Sequence, residues 1–230
     1  MVRDDVPVRV SAAQRPASRP LLPPAARPIA ATVLAACVAI TAFLGVLFWH
    51  TSRPGYLDTG IDARLRTVGL AHPAALNRIA LLGSPGPVVA MSAVLVLACL
   101  LVRRWRGAAL VAIAVPAATV LTEYVLKPLV DRIMRNYQAF PSGHTTGAFV
   151  VAAAFAVLLL GPAWPRVPVA ARMLLAVAAL VAAIATALAM VGLGAHYFTD
   201  TVGGAAVAIA VVLATALILD KLGSSRQSAL

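Results

Sequence analysis

Residues 139–160 read AFPSGHTTGAFVVAAAFAVLLL, a proline–serine–glycine–histidine corner that runs straight into an apolar stretch with no charged residue. A helix that crosses a hydrocarbon core needs about 20 mainly apolar residues. The segment from 143 to 160 approaches that length, and the same pattern recurs along the chain. Apolar runs lie at about 29–49, 86–102, 107–126, 143–160, 172–192 and 201–219. The second is short and bounded by GSPGP (83–87) and RRWR (103–106), so its ends are the least defined. Short gaps between several runs make helical hairpins. The pattern predicts an all-α polytopic membrane protein with six transmembrane helices in a bundle.

Composition agrees. Hydrophobic residues make up 61% and charged residues 12%, with a mean hydropathy of +0.92, whereas soluble domains carry about 25% charged residues. The net charge of +11 would suit a nucleic-acid binder only if a soluble face displayed it. Here the basic residues fall between apolar runs, so membrane topology accounts for them and no nucleic-acid partner is expected. Residues 1–27, rich in proline and arginine, read as a flexible basic tail. With the first apolar run they form a retained anchor rather than a cleaved signal peptide. Residues 28–220 form the six-span domain and 221–230 a second short tail. Cys37 and Cys99 lie inside apolar runs and read as small buried side chains rather than metal ligands or a disulfide.

Six spans place both termini on one side. Twelve of the 19 basic residues then fall on that side and seven on the other, and the excess marks the cytoplasm. The expected location is the cell inner (plasma) membrane, with the loops at 50–85, 127–142 and 193–200 facing outward. Lys127, Arg132 and Arg135 sit outside against the charge rule, which asks for a further reason.

Either these three are interfacial cations snorkelling toward headgroups, or they clamp an anion through guanidinium forks and an ammonium. Two neighbouring segments favour the clamp. In PSGH, Ser142 is a good N-cap, Gly143 allows close backbone approach, and the first turn of the helix offers free N–H groups and a positive dipole end. His144 lies in that turn. In GAHYFTD (194–200), His196 and Asp200 are four apart and would share a helical face. A carboxylate on one ring nitrogen fixes the tautomer and leaves the other nitrogen to attack or to accept a proton. Two histidines at separate helix mouths, with cations beside them, fit phosphoryl transfer. Outer acids are few (Asp58, Asp62, Asp131, Asp200) and form no dense cluster, so no metal or other cofactor is expected. Glu123, one turn before Lys127 inside the third run, either has a function of its own or pairs with Lys127 at i,i+4; the pairing is preferred. The outer loop at 51–85 is either an amphipathic lid or an interfacial connector.

In this order the segments resemble the type 2 phosphatidic acid phosphatase (PAP2) superfamily of integral membrane lipid phosphatases, whose signatures are K-x6-R-P, P-S-G-H and S-R-x5-H-x3-D. Pro141-Ser142-Gly143-His144 matches the second, and Gly194, His196, Tyr197, Thr199 and Asp200 match the local pattern of the third. The resemblance spans roughly residues 29–219. It implies a nucleophilic His196 oriented by Asp200, His144 as general acid, Lys127, Ser142 and the Gly143 N–H on phosphate, and no metal. Two departures stand out. Met134 occupies the first motif's arginine position, with Arg135 one residue further and Arg132 nearby. Met190 occupies the arginine position of the third motif. Arg132, Arg135 and a loop arginine (Arg64, Arg66 or Arg78) are the candidates to rebuild the clamp.

The resemblance thus implies a phosphatase acting through a phosphohistidine on a phosphorylated lipid: a polyprenyl diphosphate, a polyprenyl-phosphosugar phosphate or a phosphatidic-acid type. The alternative is a degenerate relative that binds or translocates such lipids. A transporter would spread polar residues along several spans, whereas these spans are mostly alanine, valine and leucine. Membrane lipids are the expected surroundings; oligomeric state is not legible.

Overall fold

The structure, a computed structural model, describes residues 20–162 and 167–228; the expected tail up to residue 19 lies outside the described residues. The helices are α1 (Arg27–Leu47), α2 (Tyr56–Ala71), α3 (Pro73–Ala80), α4 (Pro85–Leu101) and α5 (Trp105–Val120). A π-helical stretch, Leu121–Leu126, then leads into α6 (Lys127–Val130). A hairpin of two short strands, β1 (Ile133–Met134) and β2 (Tyr137–Gln138), precedes α7 (Gly143–Leu160), α8 (Val169–Gly192) and α9 (Phe198–Ser228).

Among the described residues, five helical stretches are long and apolar enough to cross a membrane. The pair Pro73–Gly83 and Pro85–Leu101, bent by 47° at Ser84, makes a sixth candidate, with the geometry of a broken span or a re-entrant loop. The bend falls at the GSPGP segment whose reading was the least defined. Prolines open α3 and α4, where the missing N–H costs nothing. In the third span, Pro116 and Pro128 each withhold an N–H from the α-helical ladder, and the π-helical stretch lies between them.

The central helix is α7, with 56% of its span buried inside the protein against 11% for the first span. It packs on α4, α5, α8 and α9 through small side chains such as Ala148, Ala152, Ala154, Ala183, Ala187 and Ala208. Lipid tails leave apolar side chains little to gain by leaving them, so close backbone approach through small residues is what holds membrane helices together. Large apolar side chains point outward instead, among them Phe43, Val94, Leu101 and Leu174. Cys37 and Cys99 are buried and free.

Two of the expected boundaries move. The helix α9 continues beyond residue 220 through Ser228, so the C-terminal segment is not a separate tail over that stretch. The end of the N-terminal tail also belongs to the bundle, because Leu21 and Leu22 are buried in the main core. One side chain accounts for this. Asp220, 2% exposed, accepts the Leu21 and Leu22 N–H groups at 2.8 and 2.9 Å. The Arg27 and Arg106 guanidinium groups lie 3.8 and 3.7 Å from it. Arg104 donates to the Leu158 carbonyl at the same end, and Arg172 to that of Gly161. Motif 1 (Lys127), the hairpin, PSGH and the 194–200 turn gather at the opposite end.

Asp220→Ala strips two buried N–H groups of their acceptor and leaves two guanidinium groups without their carboxylate. At about 1–3 kcal/mol per orphaned buried group, the expected result is a clear drop in the detergent unfolding temperature. Protease cleavage near residues 20–24 should accelerate. Asp220→Asn should fall between the two.

Candidate active site

The site end is organised by a buried cation. Asp131, with φ +48°, ends α6, and Arg135 and Asn136 (φ +49° and +78°) form the two-residue turn of the hairpin. Positive φ at both positions is what a type I′ hairpin turn requires. The preceding Arg132 turns inward and is fully buried. Its Nη1 donates to Thr199 Oγ1 at 2.7 Å and to Asp200 Oδ1 at 2.6 Å. Its Nη2 donates to Asp58 Oδ2 at 2.7 Å and to the Arg53 carbonyl at 3.3 Å. The guanidinium carbon stands 3.6 Å from the centre of the Phe48 ring and 4.3 Å from that of Tyr197, both within cation–π range.

Arg132 therefore does not line the cavity where a phosphate would sit, as its motif position suggested. Its charge is already spent on two aspartates. Asp58, counted only as a loop acid in the sequence, is the partner that could not be seen there. It also accepts the Gly55 and Thr199 N–H groups. Burial pushes its carboxyl up, but the Arg132 guanidinium and these N–H groups outweigh burial and hold it below the ordinary carboxylate value. The segment at 51–85 thus holds α2 and α3, with α2 fastened to the start of α9 through Asp58.

The two histidine turns are tied by their backbones. Ser142 N–H donates to the Asp200 carbonyl at 3.0 Å, and Thr146 Oγ1 to the Gly204 carbonyl at 3.2 Å. A Cβ at Gly204 would lie 2.6 Å from the Ser142 carbonyl oxygen, so only glycine permits this approach of α9 to α7. Ser142 caps α7: its hydroxyl accepts from Thr145 N–H and is fully buried, turned toward the helix. The Thr145 hydroxyl donates to it as well, at 3.1 Å.

His196 is 5% exposed. Its Nδ1 lies 3.7 Å from Asp200 Oδ2 and has no hydrogen-bond partner. The expected His196–Asp200 hydrogen bond is thus a close approach, because Asp200 Oδ2 accepts the Tyr197 N–H at 2.9 Å while Oδ1 is held by Arg132. Tyr137, from β2, sets its ring edge-on to His196 at 6.1 Å and donates its hydroxyl to the Ala195 carbonyl. Burial raises the Tyr137 phenol above its usual value.

Lys127, Gly143, His144 and His196 line one cavity of about 750 Å³, together with Glu123. Its remaining walls are mainly apolar side chains of α4 and α5. The preferred i,i+4 pairing is present: Lys127 Nζ donates to Glu123 Oε2 at 2.6 Å. Arg135 instead lines a second cavity of about 610 Å³ with Asp62, Arg66 and Tyr197, and the two cavities share no lining residue. Arg66 and Arg135 both approach Gly194, two residues before His196. Arg64 on α2 and Arg78 on α3 are exposed. The two departures from motif are filled by apolar packing, Met190 against Ala80 and Ala189 and Met134 against Ala139 and Tyr197. Among the described residues, no three His, Cys, Asp or Glu side chains are grouped to hold a metal ion.

Asp62, the other buried acid of α2, accepts the Phe198 N–H at 3.1 Å through Oδ1, while Oδ2 has no partner. Burial, the largest cause, and the nearby Asp58 charge push its carboxyl up to about 6.

Comparison with known proteins gives two positive findings. The PAP2 superfamily model matches residues 122–224, a segment that holds Lys127, PSGH and the His196–Asp200 turn. Among solved structures, a transmembrane PAP2-type phosphatidylglycerolphosphate phosphatase from Bacillus subtilis superposes with a TM-score of 0.62 at 16% identity, over 86% of this chain and 96% of that one. The fold is therefore similar to that of a transmembrane PAP2 phosphatase. No curated protein matches the chain.

Removing one partner of a buried ion pair typically costs about 3–5 kcal/mol. Arg132→Leu, which leaves Asp58 and Asp200 facing each other, should lower the detergent unfolding temperature sharply or abolish recovery of folded protein. An Asp58→Asn, Arg132→Leu double variant should recover part of the loss. Asp62 supplies a pH signature. The unfolded chain releases this proton near 3.8 and the folded one near 6, so its contribution to stability is fullest below 3.8 and is lost as pH rises through about 6. Asp62→Asn keeps an acceptor for the Phe198 N–H. Unfolding midpoints measured across pH 4–7 should decline less for this variant than for the wild type.

Proposed function

We propose that this chain, whose residues 122–224 match the PAP2 superfamily, is a membrane lipid phosphatase that works through a phosphohistidine without a metal. The observation that carries the reading is the cavity that brings His144, His196, Lys127 and the Gly143 backbone to one polar mouth above apolar walls. That combination suits an amphiphile with a phosphate head and a hydrocarbon chain. The substrate class is a lipid with a terminal phosphate or diphosphate, of the polyprenyl or phosphatidic-acid type.

The chemistry follows from the positions. The His196 ring nitrogen facing the cavity attacks phosphorus as the bond to the lipid-side oxygen breaks, and His144 delivers a proton to that oxygen. Water, deprotonated by His144, then attacks the phosphohistidine, breaking the P–N bond and releasing inorganic phosphate. Positive charge grows on His196 in the first step, and Asp200 Oδ2 is the group that meets it. A small contraction from 3.7 Å reaches the ~2.9 Å of an N–H···O bond. Arg132 keeps Asp200 in place for this, so its part is positioning rather than contact with phosphate. Lys127 and the first-turn N–H groups of α7 offset the charge on the transferring group.

The excess of basic residues at the Asp220 end supports a cytoplasmic location for both termini and an active site facing outward across a plasma (inner) membrane. A second reading, a relative that binds or translocates phosphorylated lipids without hydrolysis, draws on the buried Met190 and on Arg132 being held away from the cavity.

Phosphate release in EDTA from a diphosphate and a monophosphate lipid separates the readings. The wild type should turn over, and His196→Ala should lose about 10³-fold or more of kcat. Equal release by both proteins would end the phosphohistidine proposal, and none by the wild type would favour the binding reading.

A further inference from the structure

Glu123 is the acid that the proposed reaction leaves without a task, and its position is specific. The π-helical stretch Leu121–Leu126 carries it onto the wall of the cavity shared by Lys127, Gly143, His144 and His196. One carboxylate oxygen, Oε2, accepts from Lys127 Nζ at 2.6 Å. The other, Oε1, stands directly against Gly143 at the mouth of α7. A Cβ built on Gly143 would overlap Glu123 Oε1 and lie 3.7 Å from Lys127 Nζ. The carboxylate therefore sits between the lysine and the glycine that opens the helix. Its side chain is 36% exposed, so the protein does not enclose it.

An anion between an ammonium and a helix N-terminus takes the place that a phosphate oxygen would take there, since both groups favour negative charge. We infer that Glu123 is an internal competitor for the phosphate seat. Its carboxylate occupies the position between Lys127 and Gly143, and a substrate phosphate binds by displacing it from Lys127. Glu123 thereby sets how tightly any phosphate is held, substrate and released inorganic phosphate alike. This rests on the phosphatase reading for its catalytic consequence, but the competition itself concerns phosphate binding alone.

A different physical role predicts the opposite sign. If Glu123 served only to hold the Lys127 ammonium in place, removing its charge would loosen the lysine and weaken phosphate binding. Competition predicts that removal tightens it. Glu123→Gln keeps the size and an amide oxygen for Lys127 while removing the charge. Glu123→Ala removes both, and serves as the second variant should the first mispack.

The probe is inorganic phosphate, titrated into the full-length detergent-solubilised protein and followed by calorimetry or phosphorus NMR, with KM for a diphosphate lipid measured in parallel. Both variants should bind phosphate about tenfold more tightly than the wild type, about 1.4 kcal/mol, and KM should fall in step. In Lys127→Ala, Glu123 no longer has the lysine to compete for, so adding Glu123→Gln should give a much smaller gain. Unchanged or weaker phosphate affinity in both variants, in protein that still elutes and unfolds like the wild type, would overturn the proposal. The two readings fail separately. A wild type that binds phosphate but hydrolyses no lipid would sink the phosphatase reading and leave the competition standing. Turnover with no gain from either substitution would do the reverse.

Discussion

Everything at the histidine end of this bundle hangs on one buried guanidinium. Arg132 is enclosed by Asp58, Asp200, Thr199 and the rings of Phe48 and Tyr197, which come from the α1–α2 connection, from α2 and from the start of α9. A charge taken out of water is costly unless it is paired, and Arg132 is paired through both terminal nitrogens. Four chain segments are therefore obliged to meet at this point. Their meeting places the 194–200 turn against the PSGH turn, and the Ser142–Asp200 backbone bond closes the junction.

The consequence for the site is a division of labour among cations. Arg132 spends its charge inside the protein and orients Asp200. Arg66 and Arg135 border a separate polar cavity beyond the Gly194–Tyr197 turn. Lys127 alone among the basic candidates lines the histidine cavity, and it already holds a carboxylate. Polar groups concentrate at this mouth, while the walls descend into small and branched apolar residues of α4 and α5. A head-and-chain ligand would meet both environments at once, which is why the proposed substrate is a lipid with a phosphate head.

The opposite end shows the same economy. Asp220 gathers two backbone N–H groups and two guanidinium groups around one carboxylate. It converts the last residues of the expected tail into part of the bundle. An isolated aspartate in an apolar helix reads, in sequence, like the end of a span. Here it is the latch that lets α9 run on to Ser228.

Much of this was legible in the residues alone. Hydrocarbon sets the length of a spanning helix, so five of the six apolar runs stand as candidate spans by themselves, while the second, too short alone, counts as one only together with α3 across the proline–glycine segment that bounds it. Helix spacing linked Glu123 to Lys127, whereas His196 lies in the turn before α9 and approaches Asp200 across the start of that helix rather than along one of its faces. Contacts between distant segments were not legible, since no local rule says which charge will meet which. Arg132 could be read equally well as a phosphate ligand until Asp58, 74 residues earlier, came to lie against it. Ser142 looked free to bind phosphate until the turn closed its hydroxyl over Thr145. The sequence by itself determined which segments are apolar enough to span a membrane and which chemical groups lie between them. Only the tertiary structure decided which of those charges neutralise one another inside the protein and which are left to face the cavity.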